Sequence, residues 1–167
     1  MTKEVKRNYL EISSLNDLKE ASKPSDDYTL NLIDPINFQL NKFFYKNIGK
    51  KHKWVDRLTW SEEKWISYVS SKNVNSYVFK HKDDLVGFFE LIFHPEINET
   101  EIAYFGILEE YQNKKLGSFL LSEAIKKSFV NNTKRVWVHT CSLDHKNVLS
   151  NYISRGMKIF KSEILNI

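Results

Sequence analysis

Three apolar runs, "SYVFKH", "LVGFFELIFH" and "EIAYFGIL", are separated only by the polar segments "KDD" and "PEINET". Connections of hairpin length between strand-like runs imply an antiparallel meander, and this is the most constrained part of the chain. The elements around it are placed by their periodicity. A helix is expected from about Leu116 to Val130, with Leu116, Leu120 and Ala124, then Leu121, Ile125 and Phe129, recurring at helical spacing, and Asn131-Asn132 ending it. "RVWVHTCS" reads as a strand, Asp144 as the cap of a helix running through Arg155, Gly156 as its stop, and "MKIFKSEIL" as a last strand.

Upstream of the meander, residues 8–13 read as a short strand, "SLNDLKEA" as a short helix capped by Ser14, and "YTLNLI" as extended. Asp34-Pro35 reads as an N-cap followed by a first-turn proline. The helix behind it turns Leu40, Phe43, Phe44 and Ile48 inward and ends near Gly49; a second starts near Ser61 with Trp65, Ile66 and Val69 inward. The sum is an α+β (mixed α/β) fold.

With 167 residues, 41% of them hydrophobic, and neither a repeat nor a linker, the economical reading is a single domain over residues 1–167. No apolar run is long enough to span a membrane, and the start "MTKEVKRNYLE" is polar. Cys141 is the only cysteine, which rules out an intramolecular disulfide and fits a reducing compartment, so a cytoplasmic protein is expected. The 25 basic residues exceed the 21 acidic ones by four, a balance that suits an anionic ligand or simple solubility. No groove-reading motif accompanies it, so neither nucleic acid nor membrane is expected as a partner.

Between the last meander strand and the helix lies "LEEYQNKKLGS". The first amides of a helix have no intrahelical acceptor, and the dipole adds partial positive charge there. Such a turn takes phosphate where small side chains let an anion approach. Gly117 gives that access, and Lys114 and Lys115 add charge.

The segment "YQNKKLGS" resembles the Gln/Arg-x-x-Gly-x-Gly/Ala signature of the GNAT acyltransferase superfamily. Gln112 stands at its first position, Lys115 at the first glycine and Gly117 at the second. "EIAYFGIL" resembles the family's fourth strand, and "LDHKNVLSNYISRGMKIF" its last helix, with Tyr152-x-x-x-Gly156-Met157 in place of the usual Tyr-x-x-x-Gly-Phe. The likeness covers most of the chain and is strongest from about residue 85 to 160. It implies a central, mostly antiparallel twisted sheet of six to seven strands flanked by about four helices, with the fourth and fifth strands splayed apart.

It also implies an N-acetyltransferase that moves an acetyl group from acetyl-CoA to a primary amine of a small molecule or protein by direct attack, without a metal. The alternative is a catalytically silent module that binds acyl-CoA or serves regulation. Lys115 and Met157 favour that second reading. The expected cofactor-binding residues are Phe105, Gly106, Ile107 and Leu108 on the strand, then Gln112, Asn113, Lys114, Lys115, Leu116, Gly117 and Ser118 in the cradle. Glu101 matches the position of a general base, with Glu90, the only charge in "LVGFFELIF", as its rival; Tyr152 matches the tyrosine that protonates the leaving thiolate. Trp54, Asp56, Arg57 and Trp60 fall in the loop that receives the acceptor. His139, Cys141 and His145 lack metal-site spacing and are assigned to packing or support. Monomer and homodimer both remain open.

Overall fold

The computed structural model describes residues 3–130, 132–144 and 147–166. Seven strands form one sheet: β1 (Glu4–Ile12), β2 (Tyr28–Leu32), β3 (Val74–His81), β4 (Asp84–His94), β5 (Glu99–Ile107), β6 (Arg135–Cys141) and β7 (Lys158–Asn166). Their spatial order is β2-β3-β4-β5-β6-β1-β7. The expected meander is β3-β4-β5, antiparallel throughout. Among the described residues four α-helices complete the fold: α1 (Phe38–Gly49), α2 (Glu62–Ser70), α3 (Leu116–Ser128) and α4 (Val148–Ser154). This is the mixed α+β architecture expected from the residue pattern.

Two cores lie on opposite faces of the sheet. On one, the fully buried Leu120, Leu121, Ala124 and Ile125 of α3 meet Phe79, Phe89, Leu10 and Val136. Each large side chain there contributes about 1.5–3 kcal/mol by leaving water. On the other, Phe44 and Ile48 of α1 pack on Val78, Phe88 and Leu108, and the Phe44 and Phe88 rings stack 4.9 Å apart.

Several local expectations need correction. The first strand begins at Glu4 rather than residue 8, because β1 pairs along its length with β7 and over Arg7–Ile12 with β6. The helix after it is a single 3-10 turn over Leu15–Asp17, still capped by Ser14. Asn37, not Asp34, caps α1, its side chain accepting from the Leu40 amide at 3.2 Å. The buried face of α1 is Asn41, Phe44, Tyr45 and Ile48, which leaves Phe43 38% exposed; Ile66 of α2 is likewise 40% exposed. Asp144 caps no helix. Its Oδ2 turns back to accept from the Cys141 amide at 2.9 Å and from the Thr140 hydroxyl, and α4 starts after Asn147. The helix-ending role of Asn131 and the support role of His145 concern residues outside those described.

The feature that makes a site is the pairing of β5 with β6. These strands run parallel and pair only at Glu99↔Arg135, Thr100↔Val136 and Glu101↔Trp137. Beyond that rung neither finds the other, so β5 from Ile102 and β6 from Val138 diverge as a fork. The family resemblance implies such a splay, and the broken ladder leaves backbone groups on both arms for another partner.

Candidate functional site

A cavity of about 1290 Å³ fills the fork and continues to the start of α3. Its walls come from β5, β6, the loop between α1 and α2, the turn before α3, and α4. Of the expected site residues, Glu101, Phe105, Gly106, Ile107, Gln112, Asn113, Lys115, Leu116, Gly117, Ser118, Tyr152, Trp54, Asp56, Arg57 and Trp60 all border it. Leu108 is buried in the second core instead, and the Lys114 ammonium stands 5.4 Å from the Tyr111 ring.

The turn before α3 is shaped by its own side chains. Gln112 donates from Nε2 to the Ile107 carbonyl at 3.2 Å, tying the turn to the strand end. Asn113 and Lys115 both have positive φ, 64° and 62°. Lys115 precedes α3 in the left-handed conformation, which explains why glycine is at home in that position and puts a modest strain on a lysine. The exposed Lys115 side chain does not displace the amides of Leu116, Gly117 and Ser118 from the helix start. A Cβ on Gly117 would meet only Asn151 Nδ2, at 3.6 Å, so the space over this helix start is open. Leu116–Ser118 therefore present the first amides of α3, at the positive end of its dipole, to open space.

Gly106 has a packing role besides its place on the cavity wall. A Cβ there would stand 2.5 Å from Ile48 Cγ2, so the glycine admits α1 against the sheet.

Glu101 occupies the last paired rung of the fork, opposite Trp137. Its side chain is 18% exposed, and Oε1 lies 3.1 Å from Nε2 of His94. The other ring nitrogen of His94 is 3.6 Å from Glu96, and the imidazole stacks on Trp137 with centroids 5.9 Å apart. The carboxylate at the apex is thus oriented by a histidine that leads outward to the exposed Glu96. Sequence reasoning missed His94, because only the β4–β5 register brings it beside Glu101.

His139 opens into the same cavity. Crowding by its surroundings, followed by the Arg7 cation, disfavours its charged form and lowers its pKa. Burial raises the pKa of the Cys141 thiol, which keeps it protonated and unsuited to nucleophilic attack. Among the described residues no group of three or more His, Cys, Asp or Glu could hold a metal ion.

Tyr152 is buried, borders the cavity and tilts against Phe105 at 6.4 Å. Burial, with the Asp144 charge second, pushes its pKa well above the ordinary phenol value. The phenol therefore stays protonated at any physiological pH, as a proton donor must.

Glu90 lies elsewhere. It is fully buried, and both oxygens accept from Arg57 Nη1 at 2.9 and 3.1 Å while Oε2 also accepts from Asn41 at 3.3 Å. It does not border the cavity, and its lone pairs are occupied, so the rival base is withdrawn on geometry. Arg57 is corrected with it: only 5% exposed, it is boxed by the rings of Tyr45, Trp60, Trp65, Tyr68 and Tyr104 at 4.2–5.6 Å. It pins the α1–α2 loop to the sheet, and its guanidinium is not free for a ligand. Of that loop, Trp54, packed edge-on against Tyr104 at 4.8 Å, and the exposed Asp56 border the cavity.

The family model for the acetyltransferase (GNAT) family matches residues 37–155. No curated protein matches the sequence significantly. Solved structures are similar in fold. A GCN5-related N-acetyltransferase from Sphaerobacter thermophilus superposes with a TM-score of 0.75 at 13% identity, over 99% of this chain and 52% of that one. A GCN5-related N-acetyltransferase from Kribbella flavida gives 0.67 at 13% identity, over 96% of this chain and 56% of the other. The chain thus spans little more than half the length of these two proteins. An aminoglycoside acetyltransferase from an uncultured soil metagenomic sample, in complex with trehalose, gives 0.64 at 11% identity, over 80% of this chain and 90% of that one. No helix among the described residues is long and apolar enough to cross a membrane.

Proposed function

The chain belongs to the acetyltransferase (GNAT) family, and from that premise we propose that it transfers an acetyl group from acetyl-CoA to a primary amine by direct attack. The observation that carries this reading is one cavity with an anion cradle at one end and a carboxylate at the apex of the fork. The open space over Gly117 fits a pyrophosphate on the amides of Leu116–Ser118. The edge of β5 left unpaired beyond Glu101 can receive the pantetheine arm as an added strand.

Glu101 takes a proton from the acceptor ammonium, with His94 holding its carboxylate in place. The freed amine attacks the thioester carbonyl; as the tetrahedral species collapses the C–S bond breaks, Tyr152 gives its proton to the departing thiolate, and the nitrogen gives up its second proton, which restores the phenol through solvent. Trp54 and Asp56 border the acceptor's approach.

Thiol release from acetyl-CoA, measured across a panel of amines, tests the reading; acetyl-CoA binding without release for any amine would leave a silent binding module instead. The cradle has its own test. Gly117→Glu fits sterically but sets a carboxylate where the pyrophosphate belongs. Calorimetric titration should show acetyl-CoA binding weakened by about 100-fold or more, as expected when a charge-assisted contact becomes repulsive. The melting temperature without ligand should barely move. Undiminished affinity would place the cradle elsewhere.

A further inference from the structure

We infer that the acceptor is a zwitterion, a primary amine joined through a spacer to a carboxylate, with Glu101 and Asp56 at the ammonium end of the cavity and Arg7 and Lys3 at the carboxylate end. The inference rests on the acyl-transfer reading and deepens it. The cavity wall carries both signs, with Glu101 and Asp56 among its carboxylates and Arg7 and Lys3 among its cations. On β6, His139 lies between Trp137, the partner of Glu101, and Cys141, the partner of Arg7, and it feels the charges of Glu101, Asp56 and Arg7 together. The third carboxylate in the wall, Asp144, already accepts from the Cys141 amide and the Thr140 hydroxyl.

Arg7 has the chemistry of an anion reader that its own fold leaves partly unused. It lies on β1 opposite Cys141, its side chain is 33% exposed, and its Nε finds no partner. Its contacts within the chain are long, 3.5 Å from Nη1 to the Tyr9 hydroxyl and 3.8 Å to Glu163. Glu163 in turn accepts from the Tyr9 hydroxyl at 2.8 Å and stands 3.8 Å from Lys161, so its charge is shared three ways. Lys3 borders the cavity and adds a second cation at this end. A planar guanidinium so placed suits a carboxylate, which it can grip with two parallel hydrogen bonds.

The register sets the spacing. Glu101 pairs with Trp137 and Arg7 with Cys141, four residues further along β6. At the rise of a strand, that separates the two rungs by about 13 Å. The Glu101 and Arg7 side chains both border the cavity and can reach towards each other along this separation. An α-amino acid, whose charges are neighbours, is too short; an ω-amino acid or the side-chain amine of free lysine spans it. A polycation such as an aminoglycoside would set further ammonium groups against Arg7 and Lys3.

The experiment compares ε-aminocaproate with its amide, equal in length and differing in one charge. In steady-state thiol release, kcat/KM should favour the carboxylate by about 10- to 100-fold, the range of a charge-assisted pair. In Arg7→Met that ratio should fall towards one, and in Arg7→Lys it should stay intermediate; a ratio within one enzyme is insensitive to how much of it is folded. The same pair is titrated calorimetrically into protein saturated with CoA. A calorimetric preference lost in Arg7→Met supports the inference even if no amine releases thiol, which would sink acyl transfer alone. Thiol release with equal rates for acid and amide, a ratio unchanged in Arg7→Met, or faster turnover of an aminoglycoside than of either would overturn the zwitterion and leave acyl transfer standing.

Discussion

Glu101→Gln is expected to keep the fold and acetyl-CoA binding while lowering kcat at neutral pH by about 10²- to 10⁴-fold, the usual contribution of a positioned base. The amide is nearly the same size and can still bond His94 at the 3.1 Å distance seen for the carboxylate, so little packing is lost. What is lost is the capacity to take up a proton. Because an amine deprotonates unaided at high pH, the deficit should shrink there. Tyr152→Phe should differ. It removes an acid that acts on the thiolate, so its deficit should persist or grow as pH rises and solvent protons become scarce. Paired pH–rate profiles of the two variants separate base from acid. A Glu101→Gln enzyme as fast as the parent at pH 7 would show that Glu101 only shapes the fork, and would return the proton to ordered water.

How much of this was legible in the sequence depended on the range of the interaction involved. The meander, α3 and the cradle rest on neighbours within a few residues, and the pattern of "LVGFFELIFH" through "KKLGSFLL" specifies them locally. Glu101 and Tyr152 were found through the family resemblance, and the structure brings both to one cavity. Contacts across the sheet were not legible. Nothing in "MTKEVKRNYLE" marks β1 as the neighbour of both β6 and β7, and Arg7 has a place at the cavity only because of that pairing. His94 likewise reaches Glu101 through the register of β4 and β5, including the irregularity between Glu90 and Leu91. Glu90 shows the opposite failure. An isolated carboxylate in an apolar run must either line a polar cleft or be paired, and local sequence cannot choose between them. The partner is Arg57, 33 residues earlier, within a segment whose basic and aromatic composition reads equally well as a ligand loop.

That pair makes the second large prediction. Arg57→Met should lower stability by about 3–5 kcal/mol, because it strands the Glu90 carboxylate in a site with no exposure to water. Asn41 would remain as its donor at 3.3 Å, too little to offset a buried charge. For a chain of this size the melting temperature should fall by about 10 °C or more. Glu90→Leu should be comparably damaging, since the guanidinium then keeps its charge among five rings without a counter-ion. Those rings attract the cation but do not neutralise it. The double variant Arg57→Met, Glu90→Leu removes both charges together and should recover much of the loss, as buried pairs replaced by apolar residues often do. Thermal melts of the four proteins close the cycle and give the coupling between the two sites directly. Additive losses would mean that each residue is held by its other neighbours, Asn41 for the acid and the rings for the base. Strong coupling would show that the α1–α2 loop, with Trp54 and Asp56 at the cavity mouth, is fastened to the sheet chiefly through this one pair.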